Sequence, residues 1–193
     1  MNKCRQGQLV LLASLICLGP YAQGADFTQS LSQGGVRFEV FATNEGSINQ
    51  LTINPSGLTV DNAVIKREID GSVVSAQVAD LNSDHSPEIF VFVSSAGSGT
   101  YGSLVAYASN HKKSLTDIYL PDIMDDKAAS QGYMGHDKFS IESPWLVRKF
   151  PIYQDGDTNN QPTGGERSVF YRLKAGEAGW ILALEKIQNT KSR

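Results

Sequence analysis

The chain has 193 residues, with 17 lysines and arginines against 20 aspartates and glutamates and a net charge of −3. One ordinary domain accounts for that length. The acidic balance disfavours nucleic acid as a partner and mildly favours a basic one.

The first residues read as an export signal. Lys3 and Arg5 make a positive start, Leu9 to Leu18 an apolar run, and Pro20 breaks it before the small-residue sequence Ala22-Gln23-Gly24. An apolar run of about ten residues is well short of the ~20 that cross a bilayer. Cleavage is expected between Gly24 and Ala25, leaving residues 25–193 as one exported domain with no membrane partner. Ile16 stands before Cys17 where a lipidation motif wants a small residue, which argues against a lipoprotein. Cys4 and Cys17 both leave with the signal, so the mature chain is expected to carry no disulfide.

Beyond the signal the pattern is strand, turn, strand. Val36, Phe38 and Val40 alternate with Arg37 and Glu39, the period of a half-buried strand. Further strands are predicted at Ile48–Ile53, Leu58–Ile69 and Val73–Leu81, separated by turn chemistry at Asn54-Pro55-Ser56-Gly57 and Asp70-Gly71. Ile89 to Val93 is apolar on both faces, as in a central strand, and Leu104–Tyr107 follows it. A short helix fits Asp122–Ser130, with Asp125 and Asp126 near its start. Later strands fall at Phe139–Glu142, Trp145–Tyr153, Arg167–Lys174 and Trp180–Ile187, with Val169, Tyr171 and Leu173 on one face. Many short strands without strand–helix alternation predict an all-β fold, an antiparallel β-sandwich (barrel-like) with few short helices. Ser130–Asp137 and Asp155–Gly165 are the longest irregular pieces, and long polar loops on a β scaffold are common places for binding.

The connector Ser94 to Gly102 is built of small residues except for Tyr101. Small residues let a loop approach another surface closely, and a lone tyrosine on such a loop reads as a contact anchor. Formally the segment matches the glycine pattern of dinucleotide sites, but a strand follows it where a helix is required. Ser98 sits between two glycines, but a nucleophile elbow needs glycine two residues to either side, where Ala96 and Thr100 stand, and His85, His111 and His136 read as exposed loop histidines.

Asp80, Asn82, Asp84 and Glu88 carry the spacing of a calcium loop. His85 replaces the usual glycine and Pro87 intrudes, so the favoured reading is a hairpin whose Asp and Asn side chains cap their own backbone. Asp155-Gly156-Asp157 with Asn159 and Asn160 reads as a second, acidic solvated turn, and Lys112-Lys113 as a basic one.

Ser98-Gly99-Thr100-Tyr101 has the form S-G-x-Y. With Ala79-Asp80-Leu81-Asn82, Ser86-Pro87-Glu88, Gly132-Tyr133-Met134-Gly135-His136-Asp137, Pro162-Thr163-Gly164-Gly165 and Gly176-Glu177-Ala178-Gly179-Trp180, the chain resembles the periplasmic inhibitors of invertebrate-type (I-type) lysozyme. The resemblance implies a non-enzymatic, periplasmic β-sandwich whose S-G-x-Y loop enters and blocks the lysozyme cleft. It puts the contacts on Ser98 and Tyr101, with Gly99 shaping the loop and Thr100 within it. No catalytic residue, cofactor or metal is expected. The other reading is a secreted calcium- or carbohydrate-binding β module using the Asp80–Glu88 loop. A homodimer stays open, because exposed sheet edges need cover.

Overall fold

Val36, Phe38, Val40 and Ala42 turn inward from one strand while Arg37 and Phe41 face out, the alternation their spacing predicts. The computed structural model describes residues 25–177 and 179–191, so the expected signal and its cleavage point lie outside the described residues. Among the described residues are twelve strands. Four form the smaller sheet in the order β1 (Phe27–Gln33), β2 (Val36–Ala42), β3 (Ile48–Ser56) and β4 (Ile65–Asp70). Eight form the larger: β5 (Ser72–Ala79), β6 (Glu88–Ser94), β7 (Gly102–Ser109), β8 (Leu115–Tyr119), β9 (Lys138–Glu142), β10 (Trp145–Pro151), β11 (Glu166–Ala175) and β12 (Trp180–Thr190). Their spatial order is β5-β6-β7-β8-β12-β11-β10-β9.

The larger sheet curls into a nearly closed barrel. Its edge strands meet where the Ile141 N–H on β9 donates to Gln77 Oε1 on β5, 3.1 Å away, and Phe139 stacks on Phe92 with centroids 5.6 Å apart. Pairing is antiparallel except between β8 and β12, which run parallel. That single departure from the expected antiparallel pattern lets the chain leave one half of the barrel after β8 and return to complete the other.

Two cores result, and β6 divides them. Ile89, Val91 and Val93 pack with Phe38, Leu51 and Ile53 between the two sheets. Phe90 and Phe92 point the other way, into the barrel with Leu146, Phe150, Tyr171 and Leu182. The five residues Ile89–Val93 are each no more than 2% exposed. Burying each such side chain contributes roughly 1.5–3 kcal/mol. The two-faced apolar run therefore marked the strand shared by both cores. Val169, Tyr171 and Leu173 share the barrel face, as expected.

Three expectations change. The strand expected from Leu58 begins only at Ile65, because the intervening backbone pairs elsewhere. Asn62 hydrogen-bonds both the N–H and the carbonyl of Leu58. Thr59, Val60 and Asp61 donate to the carbonyls of Lys112 and Lys113. The basic turn at Lys112-Lys113 thus anchors this loop rather than merely facing water. Next, Asn54-Pro55-Ser56 extends β3, and the chain turns only at Gly57. Pro55 pairs with Phe38 on β2 beyond the reach of β4, and a strand with one neighbour tolerates proline. Lastly, Asp122–Ser130 is not one helix. A 3₁₀ turn at Ile123–Asp125 is capped by Asp122, and α1 (Lys127–Ser130) by Asp126, whose extended backbone separates them. Among the described residues no helix is long and apolar enough to cross a membrane.

Candidate partner-binding loop

The loop between β6 and β7 is closed at its neck by its own residues. Ser95 N–H donates to the Tyr101 carbonyl at 2.8 Å, and Tyr101 N–H donates to Ser95 Oγ at 2.9 Å. A further turn bond runs from Thr100 N–H to the Gly97 carbonyl at 3.3 Å. Thr100 takes a left-handed backbone, φ +39°, a conformation that needs outside support in a threonine.

That support comes from two distant segments. His136 N–H donates to the Gly99 carbonyl at 2.6 Å, and its ring Nδ1 meets Thr100 Oγ1 at 3.1 Å. The other ring nitrogen meets Asn159 Oδ1 at 3.0 Å, and Asn159 Nδ2 donates to the Ser98 carbonyl at 2.9 Å. His136 also stacks on Tyr153, whose hydroxyl donates to the Asn159 carbonyl. His136 is therefore not the isolated loop histidine the sequence suggested. Its ring addresses Thr100 rather than Ser98, and a carboxamide rather than a carboxylate orients it, which supports a scaffold role over a Ser98 nucleophile.

Beneath the loop lies a buried charge pair. Arg148 Nε donates to Asp137 Oδ1 at 2.7 Å, and the two side chains are 7% and 0% exposed. Asp137 Oδ2 also accepts from the Tyr133 hydroxyl at 2.5 Å and from the Gly102 N–H at 2.7 Å. Burial, then Asp137, pushes the Tyr133 hydroxyl above the ordinary tyrosine range, so it stays protonated and donating. Burial is the largest influence and opposes the Arg148 charge, but the hydrogen bonds to Asp137 and the attraction of nearby acidic groups together outweigh it and raise the guanidinium on balance. Tyr101 leans edge-on against the Tyr133 ring, centroids 5.8 Å apart, and remains half exposed.

The glycines carry the close approaches. A Cβ on Gly135, which sits at φ +87°, would lie 2.1 Å from the Gly99 carbonyl oxygen, and one on Gly102 2.6 Å from Asp137 Cβ. Ser98 is exposed, and its hydroxyl engages no partner among the described residues. A groove of about 900 Å³ runs from Tyr101 past Gly102 and Tyr133 to Tyr119 and Met124, both well exposed. Ser98, Gly99, Thr100 and Tyr101 thus sit together on one rigidly held projection.

Residues 54–131 match the family model of the periplasmic lysozyme inhibitor of I-type lysozyme. The match supports a periplasmic inhibitor of that enzyme class, as the S-G-x-Y loop taken with its surrounding motifs had suggested, and it points away from an enzyme. No curated protein and no solved structure matches the chain.

The matched segment contains the whole Ser98–Tyr101 loop and the Asp80–Glu88 turn. The supports His136, Asp137, Arg148 and Asn159 all lie beyond it. Of the other motifs quoted for the resemblance, Gly132–Asp137 packs under the loop, and Gly164 and Gly165 brace Ile152 next to it. Trp180 lies elsewhere, donating to Asn110 Oδ1 after β7. Asn159 read only as part of a solvated acidic turn, and Arg148 carried no motif of its own. Only the place of Arg148 among Leu146, Val147 and Phe150, in a strand that also carries Lys149, hinted at a buried partner.

Proposed function

We propose that residues 25–193 form one exported domain that blocks the cleft of an I-type lysozyme with the Ser98–Tyr101 loop. The observation that carries this reading is the contrast between a fully anchored loop backbone and a free tip. The carbonyls of Ser98 and Gly99 are held by Asn159 and His136, while the Ser98 hydroxyl and the Tyr101 ring face outward. A loop ordered before binding loses little entropy on association.

The chemistry suits a glycosidase cleft. Such a cleft holds two carboxyl groups, one poised to donate a proton. A serine hydroxyl donates and accepts, so Ser98 can engage either carboxyl state without bringing charge. Tyr101 adds a rigid ring with a polar tip, a residue type enriched at binding hot spots. The groove beside Tyr101 offers Tyr119 and Met124 for further contact with the enzyme. Gly99 keeps the Tyr101 ring close, since a Cβ there would come 2.5 Å from Tyr101 Cε2.

Titration of the purified protein against I-type, chicken and goose-type lysozymes in a cell-wall lysis assay tests the proposal. Stoichiometric loss of I-type activity, weakened in Ser98→Ala and Tyr101→Ala, is the expected result. Full inhibition by both variants would remove the loop from the interface, and no inhibition of any lysozyme would remove the function.

A further inference from the structure

At the far end of β6 from the Ser98–Tyr101 loop, the turn from β5 gathers carboxylates around a buried glutamate. One oxygen from each of Asp80, Asp84 and Glu88 lies within 4.8 Å of the other two. Glu88 has no exposure to solvent at all. One of its oxygens, Oε2, accepts the Leu81 N–H at 2.7 Å, but Oε1 has no hydrogen-bond partner. A buried carboxylate oxygen without a protein donor is uncommon in folded proteins, and each case asks for an explanation.

No basic side chain of the described residues closes on these acids. Lys112 and His85 line a small pocket with Asp80, Gln33, Gly34 and Pro87, yet among the described residues no ion pair reaches the three acids. Backbone N–H groups fix the turn instead. Asp84 and His85 donate to Asp80, and Ser86 donates to Asp84. Each carboxylate oxygen so engaged keeps a further lone pair. A proton on Oε1 would remove one charge and make it a donor to a neighbouring carboxylate, so the test must separate proton from cation.

A calcium ion answers both problems. With ligand oxygens 2.3–2.6 Å from the ion, opposed ligands stand up to about 5 Å apart, so three oxygens within 4.8 Å of one another can share one ion. Hard oxygen donors favour calcium over transition metals. His85, standing where calcium loops carry glycine for the sharp turn, itself takes the left-handed backbone at φ +63°. We propose that Asp80, Asp84 and Glu88 form a structural calcium site that pins the β5–β6 turn to the end of the barrel. The site lies roughly 20 Å along β6 from the S-G-x-Y loop, by the rise of a strand, and is independent of the inhibitor reading.

The test is calcium titration of the EDTA-treated protein at pH 7.5, followed by calorimetry and by thermal melting. One-to-one saturable binding with a raised melting temperature is expected. Glu88→Gln and the more exposed Asp84→Asn should each weaken the affinity at least tenfold and lose most of the melting shift. Absence of binding at millimolar calcium would overturn the site. So would a melting shift that both variants retain. A parent indifferent to calcium but stabilised by Glu88→Gln would assign the cluster to a bound proton and overturn it as well. Lysozyme inhibition is read separately, so failure of either proposal leaves the other standing.

Discussion

The Asp137 carboxylate accepts the Gly102 N–H at 2.7 Å, so the charge buried against Arg148 also clamps the residue that ends the Ser98–Tyr101 loop. Breaking a buried pair by removing one partner leaves the other charge uncompensated, which costs about 3–5 kcal/mol. Asp137→Ala and Arg148→Leu should each lower unfolding free energy by that order in urea titration. The double variant should recover part of the loss, because neither charge then remains buried alone. Equal losses in the single and double variants would mean that packing, not charge, holds this end of the barrel.

Gly135 and Gly156 share nearly the same backbone, φ +87° and φ +89°, but differ in surroundings. Nothing lies within 4 Å of a Cβ on Gly156, whereas one on Gly135 meets the Gly99 carbonyl at 2.1 Å. Gly156→Ala should therefore cost only the left-handed penalty, about 1–2 kcal/mol, with inhibition intact. Gly135→Ala carries that penalty too and must also push the S-G-x-Y loop off its seat. It should weaken lysozyme inhibition well beyond any effect of Gly156→Ala, as parallel lysis titrations would show.

The strands were largely legible because each carries a burial pattern in its own residues. The run Ile89–Val93 announced a strand buried on both faces, and the structure shows it shared by two cores. β1 was not legible, since Phe27–Gln33 is a mostly polar edge strand held by pairing with β2. The loop's tip was visible as S-G-x-Y, while the bonds that support it were not. His136 and Asn159 reach it across 36 and 61 residues of chain, to Thr100 and to Ser98. A hydrogen bond at that separation leaves no period or local spacing to read. The Asp80–Glu88 turn was legible as a cap motif, and its Asx bonds are present. What spacing alone did not reveal was that Glu88 faces the barrel end with an oxygen left over.

Glu88 gives the calcium-free protein a specific pH dependence. Burial first, then Asp80 and Asp84, raises its carboxyl from 4.5 to about 8. His85 and Lys112 are the basic groups nearest the turn. Between those two values the folded state holds a proton that the unfolded state has released, so stability falls as pH rises through the window. At 1.36 kcal/mol per pH unit the loss is bounded at about 5 kcal/mol. In EDTA, melting should fall steadily from pH 5 to pH 8, and Glu88→Gln should flatten that slope. With saturating calcium the parent should flatten too, because the cation takes the place of the proton. A slope unchanged by Glu88→Gln would assign the dependence to other groups.

Tyr101 and His136 should affect inhibition through the same loop but by different routes. Tyr101→Ala removes the contact itself, and loss of a hot-spot side chain costs more than about 2 kcal/mol, some thirtyfold in affinity. His136→Ala leaves every outward side chain in place but removes the ring's bonds to Thr100 and Asn159. Each such bond contributes about 0.5–1.5 kcal/mol, so affinity should fall by roughly tenfold as the tip loses its single conformation. Because His136 acts only by holding the tip, the double variant should lose less than the sum of the two. Inhibition constants for the four proteins of that cycle decide the matter. Strict additivity would mean that His136 contacts the lysozyme on its own account rather than positioning Tyr101.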